Sequence, residues 1–215
     1  LQILDRSGVE DIYHGCLPDA PPELATRIMS AVERRPRLLP SEYFAFCDHV
    51  ARTLPKRSAR ASVLCGPVSV HWCSDGLLEQ VAEFAEGSGL WMQTHLLESP
   101  YQARRAALAH GESMVSHLDR IGFLGAHLSC AHCVWLSESD IRLLADAGVS
   151  VVHCPGSNLR LASGIAPVAA MRSAGINVAL GLDSNTLNDN GDPWQEMRLA
   201  RHLLRQPGDT TSSVS

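Results

Sequence analysis

Aromatic residues are scarce in this chain of 215 residues, at 5%, so aliphatic side chains must build most of the core. No run of 18 apolar residues occurs, which excludes a membrane-spanning helix, and no apolar stretch has the form of a secretory signal. Positive charge is in deficit: 18 Lys and Arg stand against 23 Asp and Glu, for a formal net charge of −5. No basic cluster alternates with aromatics, so nucleic acid is not an expected partner. The densest basic stretch, Arg52 to Arg60, contains Pro55 and reads as a solvated loop. A disulfide framework is missing too. The seven cysteines are odd in number, and Cys65, Cys130 and Cys154 sit inside apolar runs, as reduced thiols of a cytoplasmic protein do. Cys130 and Cys133 form a C-x-x-C open to a redox or zinc reading, yet no second pair accompanies them.

What the chain does have is a repeated phrase: amphipathic helix, glycine, apolar strand, polar terminus. Ser74 can cap a helix with the stripe Leu77, Leu78, Val81 and Phe84, ending near Gly87 and Gly89 before a strand over Leu90 to Thr94. Ser137 and Asp140 form a capping-box-like start, Gly148 a stop, and Val149 to Val152 the next strand. Pro167 suits a first helical turn, Gly175 ends that helix, and Ile176 to Leu182 follow as a strand. Further strands are predicted over Ser62 to Val70, Leu128 to Val134 and Val9 to Cys16, with helices from about Pro22 to Arg34 and Tyr101 to His117.

This alternation predicts βαβ units and a parallel sheet. The strands count to six where a closed (β/α)8 TIM-type barrel needs eight. The expected fold is therefore an α/β barrel, incomplete, carrying about strands three to eight, or an open sheet. It is expected to occupy residues 1–208, with a polar tail at 209–215. Because the chain starts at Leu1 without a methionine, it is expected to be a piece of a longer protein.

Four of the apolar runs close in a polar residue of the metal-binding kind: His95, His132, His153 and Asp183. A β/α barrel gathers such strand ends at one rim. His95 suits a metal as neutral imidazole, and Asp183 through oxygen. Glu98, just past the strand, could move a proton between water and a leaving group. His132 faces the same rim, as a ligand or as a group bonded to water or substrate. His153, before Cys154 and Pro155, reads as a packing residue. The loop Ser157 to Gly164 is rich in turn residues; Ser157 and Asn158 are expected to hold its backbone, and Arg160 to be structural.

The phrases T-H-L-x-E, A-H-C-x-x-L, H-C-P-x-S-N-L-R-L-x-S-G-I-A-P-V and G-L-D-S-N, in this order from about Cys65 to Gly208, resemble the amidohydrolase superfamily. The branch is that of cytosine and guanine deaminases, adenosine-type deaminases and triazine hydrolases. The resemblance implies His95 as a metal ligand, Glu98 as proton shuttle, His132 beside water and substrate, and Asp183 touching both metal and water. It also implies a divalent ion, zinc or iron. Two phrases depart from the pattern. No H-x-H pair, which in the family supplies two more ligands, occurs in these 215 residues. The strand-four phrase G-P-H-S of nucleoside-deaminating members is here Gly66-Pro67-Val68-Ser69, an expectation against purine nucleosides. His71 and Trp72 are the candidates to line the substrate pocket, Trp72 by stacking on a flat ring.

The implied function is metal-dependent aminohydrolysis of a small nitrogen heterocycle, such as a purine, pyrimidine, pterin or triazine. The rival expectation is a catalytically incompetent barrel fragment that self-associates as a homo-oligomer through its open sheet edges.

Overall fold

Pro22 and Pro40 each open a helix, at a position where the missing N–H costs nothing. They start α1 (Pro22–Glu33) and α2 (Pro40–Arg57) in a computed structural model that describes residues 2–5, 21–33, 38–57, 60–184 and 191–205. The predicted strand over Val9 to Cys16 and the polar tail lie outside those residues. The chain divides into two compact units, Leu1–Thr94 with Arg120–Phe123, and His95–Asp119 with Leu124–Ser215.

In the first unit, α2 corrects the reading of Arg52 to Arg60 as a loop, since the helix continues to Arg57. Tyr43 and Cys47, one turn apart, are fully buried and anchor the helix. Arg52 pairs with Asp48 one turn back on a solvated face of the helix. The Tyr43 hydroxyl accepts the Gly66 N–H at 2.7 Å, just past β1 (Leu64–Cys65).

β1 is much shorter than the predicted Ser62 to Val70. Pro67 lacks a ladder donor, and beside it Ile3 takes over the pairing, donating to Gly66 O and accepting from Val68 N, each at 2.8 Å. The chain then enters a 3-10 turn, Val70–Trp72. Ser74 caps α3 (Asp75–Ser88), accepting from Leu77 N at 3.2 Å, and its own N–H donates to Asp5 at 3.0 Å. Gly89 at φ 64 ends the helix. β2 (Trp91–Leu96) then runs parallel to β1, Leu64 opposite Trp91 and Cys65 opposite Met92.

The second unit begins at the end of β2. The predicted single helix Tyr101 to His117 is two, α4 (Pro100–His110) and α5 (Met114–Arg120), because Gly111 at φ 70 turns left-handed and breaks the hydrogen-bond ladder. β3 (Leu128–His132) leads to α6 (Glu138–Asp146), whose start is the predicted capping box: Asp140 N donates to Ser137 Oγ at 3.2 Å, and Ser137 N to Asp140 Oδ2 at 2.9 Å. β4 (Ser150–His153) is followed by α7 (Pro155–Arg160), which corrects the reading of Ser157 to Arg160 as loop, while Leu161 to Gly164 remain irregular. Pro167 stands as the residue before α8 (Val168–Ser173), not in its first turn. β5 (Val178–Leu180) and α9 (Pro193–Leu203) complete the unit.

β3, β4 and β5 pair in parallel, Ala131 opposite Val152 and His153 opposite Leu180. Leu118, Leu128, Cys130, Leu144, Val151 and Met171 are fully buried between these strands and their helices. The class is α/β, with parallel strands and helical connections. Among the described residues no helix is long and apolar enough to cross a membrane.

Candidate metal centre

Side chains at strand ends reach a common point only if the backbone turns sharply there. In the second unit it does. Leu97, His132, Cys133 and Asp183 take left-handed backbone conformations, at φ 47, 71, 50 and 61, each a conformation costing roughly 1–3 kcal/mol for a residue other than glycine. A web of backbone bonds holds the turn: Cys133 N donates to Leu96 O at 3.0 Å, and Val134 N and Trp135 N both donate to Leu97 O at 3.1 Å.

The result is a cluster. One ligand atom from each of His95, His132 and Asp183 lies within 4.8 Å of the others. The His95 and His132 rings stack with centroids 5.3 Å apart. His132 Nε2 stands 4.0 Å from Glu98 Oε2 and 4.0 Å from Asp183 Oδ2. Two imidazoles and a carboxylate are the donor set of a borderline divalent cation. A tetrahedral ion with ligands at about 2.0–2.1 Å holds them about 3.4 Å apart, so small side-chain rotations fit the cluster to one. His132 is 1% exposed at its side chain, whereas Glu98 and Asp183 keep 23% and 18%, which leaves the centre open on the carboxylate side.

Glu98 follows Leu97 directly, and its N–H donates to Gln102 Oε1 in the first turn of α4. That bond fixes the backbone and leaves the carboxylate to face His132. Ser157 and Asn158, expected to hold only their own backbone, instead bond to site residues. Ser157 Oγ donates to Asp183 Oδ2 at 2.6 Å, and Asn158 Oδ1 lies 2.9 Å from His132 Nδ1. The signal for both was their place just after H-C-P, where a short helix starts beside a ligand strand. Arg160 ends that helix.

The other sequence candidates fall elsewhere. His153 is 2% exposed, and burial foremost, then the neighbouring His132, lowers its pKa to about 4. That is the packed, neutral histidine the sequence implied. His71, 7% exposed, and Trp72, 40% exposed, lie on the 3-10 turn of the first unit. The C-x-x-C is not a reactive pair. Cys130 and Cys133 are fully buried free thiols. The contact with Cys130 first, and burial next, push the Cys133 thiol well above its usual range, whereas a redox thiol needs the reverse.

Comparison with known proteins identifies the family. Residues 17–213 match the model of the amidohydrolase family. The chain belongs to that family. Among curated amidohydrolase relatives, the 5'-deoxyadenosine deaminase of Methanothermobacter thermautotrophicus is 40% identical over 146 residues, covering 68% of this chain and 34% of its own length. This chain thus spans about a third of the length of the curated relatives it matches. Among solved structures, an adenosine deaminase from Xanthomonas campestris with bound zinc superposes with TM-score 0.72 at 32% identity, over 76% of this chain and 37% of that one. The atrazine chlorohydrolase of Arthrobacter aurescens TC1 complexed with zinc gives 0.73 at 26% identity, over 80% and 38%. The fold is accordingly that of the amidohydrolase (β/α)8 barrel, present in part.

Proposed function

We propose that the amidohydrolase containing this chain is a zinc-dependent aminohydrolase of amino-bearing nitrogen heterocycles. The reading rests on one observation, the convergence of His95, His132 and Asp183 within 4.8 Å with Glu98 beside them. In this reading His95 and Asp183 hold the ion, and zinc is preferred because two of the solved relatives carry it. A divalent ion so held supplies water acidified to a pKa near ~7.

The chain's own groups then divide the remaining work. Glu98 takes a proton from the water and delivers it to the departing amine, so that a C–O bond forms, the C–N bond breaks and ammonia leaves. Asp183 and His132 orient the water and stabilise charge as the ring carbon becomes tetrahedral. The 5'-deoxyadenosine deaminase likeness returns a purine nucleoside to the candidates that Val68 had counted against.

An ammonia-release assay of the intact protein over a panel of aminopurines, nucleosides and aminotriazines tests the reading. Glu98→Gln should lower kcat by about 10²–10⁴-fold with the metal content unchanged. Turnover equal to wild type in that variant would reject the role given to Glu98.

A further inference from the structure

A neutral imidazole carries one proton and one lone pair, and whichever nitrogen holds the proton decides what the other can do. For His132 the surroundings are unequal. Nδ1 lies 2.9 Å from the side-chain oxygen of Asn158, an acceptor that takes a bond only from a protonated nitrogen. Nε2 lies 4.0 Å from each of two carboxylate oxygens, on Glu98 and Asp183. Both distances exceed hydrogen-bond reach, although a protonated Nε2 between two carboxylates would be drawn to one of them.

Asn158 is built to stay where it is. It is 1% exposed, its N–H donates to Cys154 O at 3.0 Å and its carbonyl accepts from Ser163 N at 2.8 Å. Its helix α7 is pinned from α9 by Glu196, which accepts the Gly156 N–H at 3.0 Å. His132 itself is held at φ 71. These contacts hold the backbone on both sides of the bond.

We propose that Asn158 is a positioning residue that locks His132 as its Nδ1–H tautomer, turning the Nε2 lone pair toward Glu98 and Asp183. His132, Glu98 and Asp183 then face one another as acceptors: one imidazole lone pair and two carboxylates. Such a concentration of lone pairs repels itself when empty and suits a cation or a hydrogen-bond donor such as water. The inference rests on the proposed metal centre only for its consequence; the tautomer is a property of the metal-free chain.

Long-range ¹H–¹⁵N spectra of the histidine-labelled, metal-free chain, taken above the imidazole titration range, read the tautomer directly. The wild type should show His132 with a pyrrole-like Nδ1 and a pyridine-like Nε2. Asn158→Asp keeps an acceptor and should keep that pattern, whereas Asn158→Leu should move the proton to Nε2. A wild-type spectrum with the proton on Nε2 overturns the proposal, as does Asn158→Leu with an unshifted tautomer. Should Asn158→Leu fail to fold, the wild-type and Asn158→Asp spectra still decide. A chain with the expected tautomer that binds no zinc would count against the proposed function and leave this inference standing.

Discussion

His153 shows how one buried side chain ties the site to pH. Its folded pKa is lowered to about 4 by burial and by His132, against an ordinary value near ~6.5 in the unfolded chain. The unfolded state therefore binds the proton first. The contribution of a neutral His153 is complete above about pH 6.5 and is lost as the pH falls toward 4, at about 1.4 kcal/mol per pH unit for a single group. Thermal melts across this window should show the loss, and His153→Asn should flatten it; equal slopes in both proteins would contradict the assignment. The thiols offer a second test. Burial, ahead of any other cause, pushes Cys65, Cys73 and Cys154 up to about 12. The six described cysteines should resist thiol reagents near neutral pH until the chain is unfolded. Rapid native labelling of Cys130 or Cys133 would revive the redox reading. At this scale the sequence was informative about which residues end strands, because a polar residue closing an apolar run has few other reasons to be there. It did not give the partners of Ser157 and Asn158, Asp183 and His132, which are each 26 residues away and meet them only through the fold.

Elements were legible where the chain carries its own punctuation. Ser74, Ser137 and the left-handed glycines Gly89 and Gly148 mark ends that the backbone respects. Ser137→Ala should cost about 1 kcal/mol through loss of its cap, measured by denaturant unfolding. Where tertiary contacts decide, local pattern failed. β1 stops at Cys65 because Ile3, more than 60 residues earlier, pairs beside Pro67. α2 runs through its basic end because Tyr43 and Cys47 anchor it in the core. α9, opened by Asp192 accepting from Trp194 N at 2.9 Å, went unread although Asp-Pro is a usable helix start. β5 adds a constraint that bears on the centre. A Cβ at Gly181 would stand 2.7 Å from Val152 Cγ1 and 3.1 Å from Cys154 Sγ, just ahead of Asp183. Gly181→Ala should cost about 1–3 kcal/mol by overpacking and weaken metal binding by displacing Asp183. Wild-type stability and metal affinity in that variant would show the close approach to be unimportant.

For the whole molecule, the centre joins parts distant in sequence: His95 in β2 and Glu98 just after it, His132 at the end of β3, Asp183 after β5. A ligand that binds only this folded arrangement must stabilise it. At a free zinc concentration about a hundred times Kd the gain is about 2.7 kcal/mol. The family follows from the match over residues 17–213; with no H-x-H in the sequence, the proposed centre rests on His95 and Asp183 as ligands, with His132 beside them. Elemental analysis of the dialysed chain, beside His95→Ala and Asp183→Asn, is the most direct measurement. One zinc per wild-type chain, lost from both variants while they remain folded, is the predicted result. A wild-type chain without metal, or variants that keep a full complement, would contradict the account.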